Sequence, residues 1–552
     1  MKNVPMYLKP NVVLEPLVDD WYAWSHLISP ATAAMNIVGR HHTIIDSYIS
    51  APSIHAEAVG NSKMRGGPFM DLGGERVEDV KALQEKSFKK QKEVIKFAKA
   101  IKELDKTLAA EAKGYGLEEL YQKVPEILKG YVELYYDRNN NPGFRFFESL
   151  LYNSEFYNKA SQSIAMWITN NDERPFCLST PRLEESHVLN LNISFDNPGI
   201  DELAKMKRTP QTFSYIKDVL EIPASKERLF ETFFTETPPP PYQKYTGEKI
   251  RMRYFGHACI LVETKDISIL VDPLISYYGY HSDIEHFSDV DLPDMIDYVL
   301  ITHNHQDHIL FETLLPLRHK IKNLIVPRTN SGKLEDPDLK LMFNNIGFDN
   351  VTAIDQMETI RFADAIITGL PFIGEHSDLN INTKSCYLVK IGNFKLIFLA
   401  DSRIIEPKLY EYIHNQVGDV DVLFIGMECD GAPLTWLYGP LITKKLPRDM
   451  DGSRRLAGSD CKKGMSLVDI FNPKEVYVYA MGQEPWLEFI SSIKYTEESN
   501  PIIQSNKLVS LCRDRGMIAE RLYGEKELLY EKETIREVAD FKNSNKNSVY
   551  EF

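Results

Sequence analysis

Short runs of apolar residues dominate the chain from about residue 250 onwards. Several are continuous over four or more positions, which is typical of strands that are buried on both faces. Helical stretches lie between several of these runs. The pattern predicts an α/β architecture in which two packed sheets carry helices on their outer faces. The runs that define it include "MRYFGHACILVE", "ISILVDP", "DYVLITH", "IRFADAIITGLPF", "FKLIFLAD" and "DVLFIG".

The N-terminal half has a mixed pattern. Residues 76–113 place apolar side chains three and four positions apart among many charges, which predicts one or two long helices. The stretches "ISFDNPG" and "RPFCLSTPR" instead indicate short strands and turns. We therefore expect a mixed α+β domain. Its histidines, which include His41, His42, His55 and His187, show no spacing typical of metal ligands, so they do not indicate its function.

A proline-rich stretch separates the two patterns. The sequence "TETPPPPYQKYTGEK", Thr235–Lys249, contains four consecutive prolines, which fit neither a helix interior nor a central strand. We expect an extended connector here. The predicted organisation is an N-terminal domain over residues 1–235, a linker over 236–249 and a second domain over 250–552.

Composition and charge narrow the function classes. The chain has 552 residues, enough for two or three domains, and a formal net charge of −15, which argues against partners such as nucleic acid or an anionic membrane. No apolar run approaches the roughly 20 residues that cross a bilayer. The N-terminus lacks the features of a secretory signal. The six cysteines include no CxxC pair, so a reducing cytoplasm is the expected compartment.

One short stretch is dense in metal-binding side chains. In "ITHNHQDHIL", His303, His305, Asp307 and His308 directly follow a predicted strand, so they lie at the edge of the sheet where ligands gather. Side chains two residues apart on an extended segment share a face, so the first two histidines can hold one ion. Asp307 and His308 project differently and can hold a second ion. Ordinary loop histidines would not explain four donors in six residues.

This motif resembles the metallo-β-lactamase superfamily, which has an αββα sandwich fold. The upstream stretch "FGHACILVETKDISILVDP" is similar to the opening hairpin of that fold, with Asp272 as the carboxylate that supports the site. The stretch "GEHSD" supplies a ligand loop with Glu375 and His376, and "LIFLADS" supplies Asp401 as the bridging aspartate. The final histidine of the hydrolases has no counterpart, because no histidine follows His414.

The missing histidine makes the chain similar to one subgroup, the CmlA-type diiron β-hydroxylases of chloramphenicol biosynthesis. These also carry a large N-terminal domain and a glutamate in place of the third histidine. The resemblance implies two iron ions. It implies Glu375 as a ligand of the first iron, and His376 is the alternative ligand at that position. It also makes His257 and Asp272 candidates to contact and orient the ligand side chains without binding an ion themselves. A purely structural role in the hairpin is open for both. The implied ligands are His303, His305 and Glu375 for the first iron, Asp307 and His308 for the second, and Asp401 as a bridge.

The same resemblance implies a reaction and its partners. Such enzymes are O2-dependent monooxygenases that hydroxylate the β-carbon of an amino acid held as a thioester on the carrier (thiolation) domain of a nonribosomal peptide synthetase. Breaking an unactivated C–H bond needs metal chemistry, since no side chain can do it. Two electrons must come from an external donor, so an electron-transfer partner is expected. The resemblance further implies that the N-terminal domain pairs two subunits into a homodimer.

A long segment after the bridging aspartate is a candidate pocket wall. Glu428–Ser466 is rich in glycine and locally basic, and ordered insertions at this edge often line a site. Trp436 and Tyr438 are candidates to line the pocket. Arg454 and Arg455 are candidates to meet the phosphate of a phosphopantetheine arm or an acidic carrier helix. A solvated surface loop is the alternative for this segment.

Three other functions are open at this stage. The main alternative is a dinuclear zinc or manganese hydrolase of the same superfamily, in which Glu428 or Gln483 replaces the last histidine. A flavin-linked diiron reductase fits less well, because that group resembles HxExDH where this chain has His305. A binding protein that has lost its metal is disfavoured by the number of ligands that survive.

Overall fold

The computed structural model describes residues 4–171, 173–279, 284–362 and 364–532. A mixed α+β N-terminal half precedes a C-terminal half built on two packed mixed sheets. This confirms the fold class that the apolar runs and the resemblance predict. No described helix combines the length and the apolar character needed to span a bilayer.

The N-terminal half consists of helices and small sheets. The two long helices expected over residues 76–113 are α4 and α5, which meet at Gln91. The strands are β1 (Pro5–Leu8), β2 (Val12–Val18), β3 (Trp21–Tyr22), β4 (Val132–Tyr136), β5 (Pro142–Phe146), β6 (Gln162–Ile168), β7 (Leu189–Leu191), β8 (Gln211–Thr212) and β9 (Phe234–Thr235). The helices are α1 (Pro30–Asn36), α2 (His42–Ser50), α3 (Pro52–Gly60), α4 (Val77–Lys90), α5 (Lys92–Glu111), α6 (Glu148–Leu151), α7 (Pro198–Lys205), α8 (Phe213–Val219) and α9 (Glu227–Glu231).

The C-terminal half contributes two sheets that each have seven strands within the described residues. The first has the order β15-β14-β13-β12-β11-β10-β25, and the second β16-β17-β18-β19-β20-β23-β24. The strands of the first are β10 (Ile250–Gly256), β11 (Cys259–Glu263), β12 (Ser268–Val271), β13 (Ile296–Leu300), β14 (Ile321–Pro327), β15 (Val351–Ile354) and β25 (Lys526–Tyr530). Those of the second are β16 (Thr359–Phe362), β17 (Ala365–Leu370), β18 (Cys386–Ile391), β19 (Phe394–Phe398), β20 (Val422–Gly426), β23 (Glu475–Tyr479) and β24 (Ile518–Arg521).

Helices and a short strand pair complete the C-terminal half. The strand pair belongs to the segment that follows β20, namely β21 (Ala432–Pro433) and β22 (Arg455–Leu456). The helices are α10 (Phe311–Leu317), α11 (Leu339–Asn345), α12 (Pro407–Val417), α13 (Leu434–Tyr438), α14 (Arg448–Ser453), α15 (Cys461–Phe471), α16 (Glu488–Ser491) and α17 (Asn500–Asp514).

The apolar side chains form layers around the two sheets. Tyr254 and Ile260 of the first sheet pack with Phe398 and Phe424 of the second in a buried core between them. The outer face of the second sheet packs against α12, α15 and α17. The outer face of the first sheet instead shares one apolar cluster with the N-terminal half. Burial of this face holds the N-terminal half beside the edge where the metal-binding motif lies.

Buried charges also join the two halves. Nη1 of Arg174 donates across the halves to Oε2 of Glu312 at 2.9 Å and also to Oε1 of Glu15 at 3.4 Å. Within the N-terminal half, Nη2 of Arg182 donates to the same oxygen of Glu15 at 2.8 Å. Both glutamates are fully or almost fully buried, so removal of either arginine would leave an uncompensated charge. The network therefore fixes how the N-terminal half sits on α10.

The proline-rich stretch runs between β9 and β10 and contains neither helix nor strand. We retain the division into 1–235, 236–249 and 250–552 as a proposal, and the end of the last range, residues 533–552, lies outside the described part. The shared apolar cluster means that the two proposed domains do not have wholly separate cores.

Candidate metal centre

The first histidine of the motif, His303, lies three residues after the end of β13. The backbone N–H of Thr302 donates to Oδ1 of Asp272 at 2.7 Å, which fixes the start of the motif against the end of β12. The N–H of Ile309 donates to the carbonyl of His305 at 2.9 Å, so the chain turns there. His303 therefore precedes the turn, His305 begins it and His308 lies on it.

A first group of buried donors contains His303, His305 and Glu375. One ligand atom from each lies within 4.8 Å of the others. Nδ1 of His305 and Oε1 of Glu375 are 2.9 Å apart. The arrangement brings two imidazole nitrogens and a carboxylate together from segments about 70 residues apart in the sequence.

A second group contains His303, His308 and Asp401. Oδ2 of Asp401 lies 3.3 Å from Nε2 of His308 and 3.8 Å from Nε2 of His303. Because His303 belongs to both groups, Asp401 lies beside the first group as well. This is the position from which one carboxylate can contact two adjacent cations.

Asp307 and His257 complete the centre. Nε2 of His257 lies 3.4 Å from Oδ2 of Asp307 and 3.3 Å from Nε2 of His308. His257 is a candidate to support the ligands or to serve a structural role in the hairpin, and its nitrogen lies in a third group of candidate donors with Asp307 and His308. The backbone of His257 has a φ of 48°, in the tight turn between β10 and β11 that brings this ring to the centre.

Asp401 reaches the centre through a close approach of two strands. It follows β19, and the N–H of Ala400 donates to the hydroxyl of Tyr479 at 2.8 Å. A Cβ at Gly426 would lie 2.2 Å from the carbonyl oxygen of Ala400, which no real side chain tolerates. Glycine at the end of β20 is therefore required for Asp401 to sit where it does.

Several nitrogen and oxygen atoms at the centre lack hydrogen-bond partners among the described residues. They include Nε2 of His303, Oε2 of Glu375, Nε2 of His376 and Oδ1 of Asp401, all of which are buried. A buried polar atom with no partner is costly, and bound cations are a usual explanation. Imidazole and carboxylate donors of this kind suit iron, manganese and zinc, so the set fits a pair of such ions.

The pKa of each titratable group at the centre depends on its burial and on the charges beside it. Burial, followed by the charge of His308, holds the pKa of His303 well below its ordinary value. Burial also acts to lower the pKa of His308, but the carboxylates of Asp272 and Asp401 raise it well above that value. Burial raises the pKa of Glu375. Proton loss and cation binding are therefore linked in this centre.

The loop that carries Glu375 and His376 is tightly constrained. Glu375, Ser377 and Asp378 all have positive φ, at 65°, 52° and 59°. Nδ1 of His376 lies 2.8 Å from the hydroxyl of Tyr438, and its Nε2 lies 3.5 Å from Oε2 of Glu375. The carboxylate of Glu375 therefore contacts both His376 and His305.

The sequence offers Gln483, Glu484 and Glu428 where the hydrolases have their final histidine. All three form hydrogen bonds with other parts of the protein. Gln483 accepts a hydrogen bond from Arg521 at 3.1 Å and donates to the carbonyl of Leu522 at 3.3 Å. Glu484 accepts a hydrogen bond from the hydroxyl of Tyr254. Glu428 accepts from the N–H of Gly431 at 2.6 Å, and burial raises its pKa to about 7.

A cavity of about 600 Å³ extends from the donors to the surface. Both halves of the chain line it, and Trp436 and Arg455 from the predicted pocket wall are among the lining residues. Tyr438 is fully buried beside His305 instead, and Nε of Arg454 donates to the carbonyl of Ser377 at 2.9 Å. The lining residues further include Lys63, Arg65, Phe176, Leu178, His257, Gln306, Asp307, Glu375, Asp401, Glu428, Leu437, Met481 and Lys494.

Several of these residues have no local signal in the sequence. Lys63, Arg65 and Phe176 come from the N-terminal half, and nothing in their own segments points to a cavity next to His305. His26 is similar: it is buried, and its ring centroid lies 6.0 Å from that of Tyr438. Only long-range packing brings them to the centre.

Comparison with known families covers both halves of the chain. Residues 7–238 match a family described as the diiron non-heme beta-hydroxylase N-terminal domain. Residues 251–436 match the beta-lactamase superfamily domain.

Comparison with individual proteins gives matches along most of the chain. A 4-amino-L-phenylalanyl-[CmlP-peptidyl-carrier-protein] 3-hydroxylase of Streptomyces venezuelae is 36% identical over 522 residues, which covers 94% of this chain and 98% of that protein. The crystal structure of CmlA, a diiron beta-hydroxylase from the same organism, superposes with a TM-score of 0.89 at 35% identity, covering 95% of this chain and 99% of that one. A glutamate-to-aspartate variant of that hydroxylase superposes with a TM-score of 0.87.

Proposed function

The chain belongs to the CmlA-type diiron non-heme β-hydroxylase family, and we propose that it hydroxylates the β-carbon of an aminoacyl thioester on a peptidyl carrier protein. Family membership confirms the resemblance carried by the motif His303–His308 and confirms that the protein is an oxidoreductase. The S. venezuelae hydroxylase acts on an amino acid bound to a peptidyl carrier protein, which supports a role for this chain in nonribosomal peptide synthesis and antibiotic biosynthesis.

We propose that the two donor groups hold two iron ions. His303, His305 and Glu375 would hold the first ion, and Asp307 and His308 the second, with Asp401 between them. The distance of 2.9 Å between Nδ1 of His305 and Oε1 of Glu375 supports the first set. The position of Asp401, 3.3 Å from His308, supports a bridging role.

Two further residues bear on this ligand set. Glu375 is preferred to His376, because an oxygen of Glu375 lies within 4.8 Å of the ligand atoms of His303 and His305, whereas His376 belongs to none of the donor groups among the described residues. The nitrogen of His257 lies close enough to Asp307 and His308 to add a ligand to the second ion.

The diiron centre, when bound, supplies the O2 chemistry that no side chain can provide. In the overall reaction the β C–H bond breaks and a C–O bond forms with one oxygen atom of O2. The other oxygen atom leaves as water, formed with two electrons from an external reductant and two protons. An electron-transfer protein or small reductant is therefore an additional partner of the proposed reaction.

The polypeptide contributes ligand geometry and a shielded cavity. Oδ2 of Asp272 lies 2.7 Å from Nδ1 of His308 and so fixes the orientation of that ring. Apolar side chains such as Phe176, Leu178, Trp436 and Met481 form part of the cavity wall. Walls of this kind suit an amino acid with a large apolar or aromatic side chain.

The shape of the cavity supports a tethered substrate. Its inner end is formed by buried donors such as His305, and its other end by exposed residues such as Lys63 and Lys494. A carrier protein cannot enter this space, but the extended arm that carries its aminoacyl group can. Lys63 and Arg65 lie where the phosphate of that arm would pass, in place of the predicted Arg454 and Arg455.

Arg454 and Arg455, the candidates from the sequence to bind the phosphate, form hydrogen bonds with backbone carbonyls of the protein. The Arg455 guanidinium donates to the carbonyls of Asp430 and Gly431, and Arg454 donates to Ser377. Both therefore stabilise the pocket wall, which leaves Lys63 and Arg65 as the better candidates for the phosphate.

A single-turnover experiment tests this function. Iron-reconstituted protein is chemically reduced, mixed with carrier proteins loaded with aromatic amino acids, and exposed to labelled O2. We expect a mass gain of one labelled oxygen atom on the aminoacyl group, and no gain with the Asp307→Ala variant. Release of free amino acid without oxygen incorporation would instead support the zinc or manganese hydrolase.

A further inference from the structure

We propose that Tyr438 is a positioning residue that ties His305, a proposed ligand of the first metal, and the neighbouring His376 to the N-terminal half of the protein. The inference rests on the proposed metal centre. It concerns a residue that the sequence assigns to the pocket wall, and it gives the N-terminal half a direct influence on the metal site.

The Tyr438 hydroxyl joins two imidazoles. Its oxygen lies 2.9 Å from Nε2 of His305 and 2.8 Å from Nδ1 of His376. All three side chains are buried, so water does not compete for these bonds. A tyrosine hydroxyl has a single hydrogen, so it donates to one ring and accepts from the other.

The direction of these bonds follows from the other nitrogen of His305. Nδ1 of His305 faces Glu375 in the first donor group, and a nitrogen that binds a cation carries no hydrogen. Nε2 of His305 therefore carries the hydrogen and donates to the Tyr438 oxygen. The hydroxyl of Tyr438 then donates to Nδ1 of His376.

The same reasoning extends the chain of contacts back to Glu375. With Nδ1 of His376 as an acceptor, Nε2 of that ring carries the hydrogen, and it lies 3.5 Å from Oε2 of Glu375. The hydrogen bonds thus run from His305 through Tyr438 to His376, and an electrostatic contact at 3.5 Å links His376 to Glu375. The Tyr438 hydroxyl therefore holds His305 directly and lies one residue away from Glu375.

Contacts with the N-terminal half fix the helix that carries Tyr438. Nη2 of the buried Arg40 donates to the carbonyl of Leu437 at 2.6 Å. A Cβ at Gly39 would lie 3.1 Å from Cβ of Pro440, so the two segments are in close contact. Arg40 lies in a π-helical turn, Ile37–His41, a feature often found at functional sites.

Removal of the hydroxyl tests the proposal. We expect Tyr438→Phe to lower the affinity of one of the two metal positions by roughly 10- to 100-fold, as the loss of a bond to a ligating histidine commonly does. The probe is Co(II) titrated against a competing chelator, with the absorption spectrum as a report on ligand geometry. No hydroxylation activity is needed.

A matched variant controls for the loss of a buried hydroxyl. Tyr152 is buried in the N-terminal half, and its hydroxyl lies 3.0 Å from Oγ of Ser29. Tyr152→Phe should leave both metal affinities and the Co(II) spectrum as in the wild type. Thermal unfolding of the metal-free variants checks that each one folds.

The link to the N-terminal half has its own test. Arg40→Met should weaken the same metal position as Tyr438→Phe, because it frees the helix that carries the tyrosine. Arg208→Met is the control, since Arg208 also donates across the halves, to the carbonyl of Val290, but has no contact with Tyr438.

The outcomes separate this proposal from the proposed function. Wild-type affinities and spectra in Tyr438→Phe would overturn the positioning role while leaving the dinuclear centre intact. Wild-type protein that binds no pair of Co(II) ions would overturn both. Weaker binding in Tyr438→Phe with normal binding in Arg40→Met would overturn the influence of the N-terminal half.

Discussion

Oδ2 of Asp272 lies 2.7 Å from Nδ1 of His308, and neither side chain is exposed. Asp272 also accepts hydrogen bonds from the N–H and the hydroxyl of Thr302, at 2.7 Å and 2.6 Å. The carboxylate is thus held in place and in turn fixes the ring of His308. Its contact with Nδ1 leaves Nε2 of His308 to face Asp401 and a cation.

Asp272→Asn should weaken the second metal position. The amide keeps the shape of the side chain but removes the charge that stabilises a hydrogen on Nδ1. We expect roughly a 10- to 100-fold loss in affinity, measured by Co(II) titration against a chelator. Asp297→Asn is the control, because Asp297 is a buried acid at the end of the same sheet that bonds to Ser268 and not to the centre. Equal affinity in both variants would contradict the role of Asp272.

Glu375 and His376 should differ in their effect on metal content. Glu375→Ala removes a proposed ligand, so we expect one of the two ions to be lost after dialysis. His376→Ala removes only a contact behind the ligands, so we expect two ions with weaker binding. Metal analysis of the dialysed variants distinguishes these results. Loss of an ion from His376→Ala alone would make His376 the ligand.

Charge reversal at the cavity entrance should affect the tethered substrate selectively. Among the described residues, neither Lys63 nor Arg65 has an ion-pair partner for its side chain, so both are available for a phosphate. Lys63→Glu and Arg65→Glu should each raise the KM for the carrier-bound substrate several-fold, about 1 kcal/mol. The exposed Lys102 provides the control variant, Lys102→Glu.

A substrate that lacks the phosphate tests whether Lys63 and Arg65 act on the phosphate itself. The KM for the same aminoacyl group on pantetheine should be unchanged by either reversal, because pantetheine lacks the phosphate. An equal rise for both substrates would instead indicate that the two side chains contact another part of the molecule.

Glu148 should make the stability of the protein depend on pH. Its carboxylate accepts from the N–H of Asp338 at 3.0 Å, at the junction of the two halves, and burial raises its pKa from 4.5 to about 7. The folded state therefore favours the protonated form. This contribution is fully present below pH 4.5 and is lost as the pH rises through about 7.

Glu148→Gln should remove this dependence. The amide has no charge at any pH, so we expect the variant to gain roughly 1–2 kcal/mol relative to the wild type between about pH 5 and about pH 8. Urea unfolding at the two pH values measures the difference. Glu119→Gln, at an exposed position, should follow the wild type. Parallel pH profiles for wild type and Glu148→Gln would refute the prediction.

Local pattern was enough to predict much of the fold and the motif. The continuous apolar runs predicted the buried strands of both sheets, because such strands leave the same signal wherever they lie in the chain. The donors from His303 to His308 were visible because they are adjacent and follow a strand. Asp401 was instead predicted from the family resemblance, which its order in the chain and its position after a strand supported.

The remaining features depend on contacts that no local pattern records. Tyr438 was assigned to the pocket, but it lies against His305 and His376 because the N-terminal half holds its helix. The backbone of Glu375 is in the left-handed region, which residue type alone does not predict. Lys63 and Arg65 reach the cavity only because the N-terminal half covers the first sheet.

The central claim is that imidazoles and carboxylates of the C-terminal half hold two adjacent iron ions. Iron analysis with Mössbauer spectroscopy of protein purified from iron-supplemented cells tests it most directly. The account predicts two irons per chain with the magnetic coupling of a bridged pair, and loss of that coupling in Asp401→Ala. Stoichiometric zinc with esterase activity, or a single uncoupled iron, would contradict it.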